Sequence, residues 1–178
     1  MQETLEYIKQ AFNLKSQKCY KQAIEMLYKA LEKENDNIEI LFQLGELYFL
    51  LKNFPRAIHY LEKVLQKDEN HIEALKIMQK IYVFADEKEQ AYKSAKKIFE
   101  LQKNSENLTE LIKTATKTNN FKEIENLEKS EQTNDKVLYE IANAYYTNGD
   151  FTIAKEKLEK YNIVILHGEP WVGKTSTA

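Results

Sequence analysis

The chain is 178 residues long, 43% hydrophobic and 30% charged, enough to bury a core as one extended domain. Four Gly and two Pro leave little material for the many turns of a β protein, and the abundance of Leu, Ile, Lys, Glu, Ala and Asn points to an all-α class. Twenty-six basic and 28 acidic residues are interspersed to a net charge of -2, which argues against a basic field for nucleic acid.

Cys19 is the single cysteine, so no internal disulfide is expected and a reducing compartment fits. The amino terminus MQETLEYIKQAF carries acids where a signal peptide needs an unbroken apolar run. The longest apolar stretch, near Leu47 to Leu51, is too short to span a bilayer, so no membrane partner and a cytoplasmic location are expected.

Apolar residues at helical spacing divide the chain into five helical hairpins, over 2–35, 36–69, 70–103, 104–133 and 134–161. The first pairs helices near Gln2 to Lys15 and Tyr20 to Lys33; the second, Asn37 to Leu51 and Phe54 to Gln66. The third has His71 to Phe84 and Glu87 to Gln102, turning at Ala85-Asp86. Asp36 with Glu39 and Asn70 with Glu73 are read as capping pairs, with Asn104 and Asn134 continuing the series. Small residues give a second series, Ala23, Ala57 and Ala91 at a step of 34, followed by Ile124 and Ala154 at 33 and 30. The fourth hairpin, Ser105 to Thr118 and Phe121 to Lys129, is therefore expected to lack about one helical turn before the fifth, Asp135 to Asn148 and Phe151 to Tyr161.

Within the second hairpin, Leu41-x2-Leu44-Gly45-x2-Tyr48 followed by Ala57-x3-Leu61-x2-Val64 resembles the tetratricopeptide repeat, with Leu41 where that family favours Trp. The resemblance implies a right-handed superhelical solenoid of about five hairpins, followed by a short non-helical tail from 162 to 178. It also implies that the first helix of each hairpin lines an inner groove.

In this register Ile8, Phe12, Phe42 and Phe49 would form an exposed apolar patch. Glu46 shares their face, Lys76, Lys80 and Lys113 would meet acidic side chains of a bound segment, and Tyr139, Asn143 and Tyr146 continue the wall. Members of the family that bind chaperone tails use a two-carboxylate clamp, whose positions here hold Ile8, Phe12, Gln43, Glu73 and Ile77. None keeps the required cation, so a terminal chaperone carboxylate is not the expected guest.

The second helix of the fifth hairpin leaves Ile153, Ala154 and Leu158 without a successor, so an apolar end is expected there. The tail or a second copy of the chain, as a homo-oligomer, would cover it. In that tail, Gly168-x4-Gly173-Lys174-Thr175 resembles the phosphate-binding loop of P-loop NTPases. The resemblance implies ATP or GTP with magnesium, Lys174 reaching the terminal phosphates and Thr175 holding the metal. Three residues follow Thr175, so hydrolysis by this chain is not expected.

His59, His71 and His167 share no metal-ligand spacing with each other or with Cys19, and no metal, other cofactor or catalytic group is expected. The sequence thus reads as a non-enzymatic scaffold binding a protein or peptide segment in its groove. The alternative is the amino-terminal sensor part of a P-loop ATPase or GTPase.

Overall fold

A computed structural model describes residues 2–129 and 134–160. Among them are ten α-helices: α1 (Gln2–Ser16), α2 (Tyr20–Lys33), α3 (Ile38–Leu50), α4 (Phe54–Lys67), α5 (Ile72–Phe84), α6 (Lys88–Leu101), α7 (Ser105–Lys117), α8 (Phe121–Leu127), α9 (Asp135–Asn148) and α10 (Phe151–Lys160). No strand occurs among the described residues, which are all-α as the composition led us to expect. It divides into two compact units, Met1–Ala85 and Asp86–Ala178. The expected tail from 162 to 178 lies outside the described residues.

The turn inside each hairpin is built one way. Lys18, Lys52, Asp86, Asn119 and Gly149 all have φ between 54° and 91°. A left-handed residue ends the first helix and lets the following amide reach back to a carbonyl of its last turn. Asn53 N–H donates to Tyr48 O at 2.9 Å, and Asn120 and Asp150 repeat the bond to Ala115 O and Tyr145 O. The turn spans three residues in the first four hairpins and two in the fifth.

The links from a second helix into the next first helix vary more: four residues before α3 and α5, three before α7, and seven before α9. Their caps correct the expected series. The Asn37 side chain, not that of Asp36, accepts from Glu39 N and Ile40 N; His71 Nδ1, not Asn70, accepts from Ala74 N. Asp36 instead pairs with Lys67 at 3.0 Å. Asn104 and Asn134 do cap α7 and α9, accepting from Asn107 N and Val137 N. A single cap step was one residue too early because Asp36-Asn37 and Asn70-His71 each offer two acceptors in a row.

In the first unit, α1 packs on α2, α3 on α4, and α3 also meets α2 and α5. Leu27, Leu41, Leu44, Leu47, Leu61 and Ile81 are fully buried or nearly so. Gly45 leaves room for α4 against α3: a Cβ there would lie 2.8 Å from both Cγ and Cδ2 of Leu61. A polar seam joins three helices, with the Tyr28 hydroxyl 2.8 Å from that of Tyr48 and 3.0 Å from that of Tyr60. Arg56 donates to the Tyr48 oxygen at 2.9 Å. Burial raises the Tyr28 and Tyr48 phenols above their ordinary pKa.

In the second unit, α7 contacts α6, α8 and α9, and α9 contacts α10. Helix α8 has seven residues against 14 in α2, α4 and α6, a loss of about two turns where one was expected. Ile124, standing in the small-residue series, is fully buried in the core with Leu111, Ile112 and Ala115. Ala154 and Leu158, expected on an open apolar end, are buried in the core with Leu111, Ile141 and Tyr145. Ile153, at 38% exposure, is the one of the three that stays at the surface.

Candidate functional site

Core packing leaves one face of each first helix unspent. On α3 the buried set is Ile40, Leu41, Gln43, Leu44, Gly45, Leu47 and Tyr48. That leaves Glu39 on the opposite side together with Phe42, Glu46 and Phe49, which were expected to face inward. Helix α5 buries Ala74, Leu75, Ile77, Met78, Gln79 and Ile81 and leaves Glu73, Lys76, Lys80 and Val83. On α9 the equivalent face is Lys136, Tyr139, Asn143 and Tyr146.

In the first unit this face comes together across α1, α3 and α5. Lys15 of α1 donates to Gln43 Oε1 at 3.0 Å and pairs with Glu46, while Gln43 donates to Glu39 Oε1 at 2.9 Å. The candidate Glu46 is therefore already matched by a cation of its own chain. The expected aromatic patch is more spent than open. Ile8, Phe42 and Phe49 are half-buried against the core, with the Phe42 ring 4.8 Å from that of His71 and Phe49 6.2 Å from Phe54. Phe12, at 42% exposure with the Lys15 ammonium 5.9 Å from its ring centroid, is the member that faces solvent. The correction has a simple cause: aromatic rings at hairpin edges reach sideways onto the next helix, which a face assignment by Cβ direction does not register.

The three candidate lysines differ in the same way. Lys76 is half-buried and Lys80 exposed, and neither has an ion pair or hydrogen bond among the described residues. Lys113, in the second unit, lies 3.0 Å from Glu110 and 3.8 Å from Glu140. Against burial, which would lower it, the Glu110 hydrogen bond and the charges of Glu110 and Glu140 hold the Lys113 pKa above its ordinary value. Its charge is answered within the fold. Tyr139 and Asn143 are half-buried on α9, and Tyr146, 49% exposed, sets its ring edge-on to Phe151 at 5.2 Å.

Sequence reasoning left out the largest exposed apolar group of the first unit. Phe84, the last residue of α5, is 70% exposed and stacks on Phe54 at 5.7 Å, and Val83, Leu50 and Leu51 are also exposed. Its position four residues after Lys80 was the available signal.

Gly168, Gly173, Lys174 and Thr175 lie outside the described residues. Among the described residues no cluster of three or more His, Cys, Asp or Glu side chains could hold a metal ion, and no helix is long and apolar enough to cross a membrane.

Residues 14–81, within the first unit, match the model of the tetratricopeptide repeat family. No curated protein matches the chain. Solved structures share the fold over most of its length. MamA of Desulfovibrio magneticus RS-1 superposes with a TM-score of 0.74 at 14% identity, covering 90% of this chain and 93% of its own. MamA AMB-1 gives 0.70 at 18%, covering 89% and 90%. YrrB, described as a TPR protein with an unusual peptide-binding site, gives 0.70 at 18%, covering 86% and 82%.

Proposed function

We propose that this chain is a non-enzymatic protein-interaction scaffold that receives a peptide or protein segment on the faces of its first helices, without a cofactor. The carrying observation is the division of the first helices into a buried side and an outward one, on which Glu39 of α3 and Glu73, Lys80 and Val83 of α5 are exposed and Lys76 is half-buried without a charge partner among the described residues. Likeness in fold to YrrB, whose peptide-binding site is recorded for that protein, supports the reading. The Phe12, Phe42 and Phe49 rings supply apolar contact, and Tyr139, Asn143 and Tyr146 offer a second stretch of mixed character in the other unit.

A photo-crosslinking amino acid placed at Lys80 tests this against one at Lys93, an exposed position on the second helix α6. A discrete partner trapped from position 80 and not from 93 is the expected result. The same products from both positions, or none from 80, would remove the proposal.

A further inference from the structure

The solvent-facing strip of α5 carries charge and apolar surface that the fold itself does not use. Lys76 and Lys80 have no ion pair or hydrogen bond among the described residues, whereas Lys15, Lys96, Lys113 and Lys157 each hold a carboxylate of a neighbouring helix or turn. One turn beyond Lys80, Phe84 is 70% exposed on the Phe54 ring, with Val83 exposed beside it. Glu73, the one acid of this strip, lies a turn ahead of Lys76, 3.6 Å from His71 Nδ1.

Resting on the scaffold reading above, we infer that this strip is a docking site for an acidic segment with an apolar anchor, two side-chain carboxylates meeting Lys76 and Lys80 and a large apolar side chain lying on Phe84, Val83 and Phe54. Charge complementarity selects the occupant. Two cations one turn apart repel each other mildly, and opposite charge from a guest relieves that. A helical rise of about 1.5 Å per residue puts Lys76, Lys80 and Phe84 at steps of about 6 Å along α5. Alternate residues of an extended chain recur at about 6.6 Å, so the matching guest reads acid-x-acid-x-apolar in one chain direction or the other. Recognition is by side-chain carboxylates, so a blocked carboxyl terminus does not matter.

Fluorescence anisotropy with the full chain and end-blocked peptides tests this, using GSESESLSG and its reversed sequence against the same pair with Gln for Glu. We expect one Glu peptide to bind, at least tenfold tighter than its Gln counterpart, and to weaken as salt is raised. The double variant K76E/K80E should lose at least tenfold in affinity and F84S at least threefold. K113E, whose lysine is already paired, should change it less than twofold. Circular dichroism confirms that each variant is folded. Gln peptides binding as tightly as Glu peptides, a K113E loss as large as that of the double variant, or no binding of either Glu peptide would overturn the acidic assignment. The scaffold reading would survive any of these and falls only with the crosslinking result at position 80.

Discussion

Gly45 and Lys52 sit seven residues apart and set opposite limits on what a single position tolerates. At Gly45 alanine would gain about 1 kcal/mol of helix propensity, but its Cβ would stand 2.8 Å from a fully buried Leu61. Overpacking of that kind costs about 1–3 kcal/mol, so the clash wins. Gly45→Ala should lower the thermal midpoint, and a rise would show that α3 and α4 can separate freely. At Lys52, with φ of 57°, a side chain is held in the left-handed region at a cost of about 1 kcal/mol. Lys52→Gly should raise stability by a few tenths of a kcal/mol to about 1 in a urea titration; a loss would mean that the lysine stem makes a contact worth more than the strain. Ile124 tests a third point. Alanine stands at the equivalent position in α2, α4, α6 and α10, yet Ile124 is fully buried within a helix half as long as α2, α4 and α6, and Ile124→Ala should cost about 2–5 kcal/mol. A change under 1 kcal/mol would show that the site collapses around the smaller side chain.

At the scale of the helix, α8 is the weak element. Seven residues are below what local propensity can sustain, so its order depends on Ile124 and on the Asn120 cap, which accepts from Glu123 N at 3.3 Å. Backbone amides of α8 should exchange with solvent faster than those of α7 and α9 under native conditions, and equal protection would contradict a dependent element. Helix identity and phase were legible because each first helix repeats a buried pattern at three- and four-residue spacing and each turn forces the same backbone break. Unspent faces followed from that phase alone, as Lys76, Lys80 and Tyr146 show. Ring direction and ion pairing did not: whether Phe49 faces solvent depends on Phe54, and whether Lys113 is available depends on Glu140, a residue 27 positions away that no local pattern links to it. Phe84 was missed for the same reason, since its exposure is set by what fails to cover it.

Across the molecule, both units bury phenols that resist ionisation. Burial first, and then the charges of Glu125, Glu128 and Asp150, push Tyr145 up to about 12. Burial also raises Tyr28 and Tyr48. An unfolded tyrosine ionises near 10, so the folded chain holds more protons between about pH 10 and 12. Stability from Tyr145 is complete below pH 10 and is lost as pH rises through 12, and Tyr28 and Tyr48 act in the same direction. Chemical denaturation midpoints should fall across that window, and Tyr145→Phe should flatten the slope; an unchanged slope would mean that another group titrates there.

The hairpin turns keep nearly constant length while the links between hairpins range from three to seven residues. Added chain in a surface connection costs little, about 0.6 kcal/mol per doubling, whereas a turn closed by a left-handed residue has one geometry. A fluorescent reporter grafted beside the exposed Asn35 would therefore leave α3 in phase, while the same cargo between Lys52 and Asn53 would unseat it.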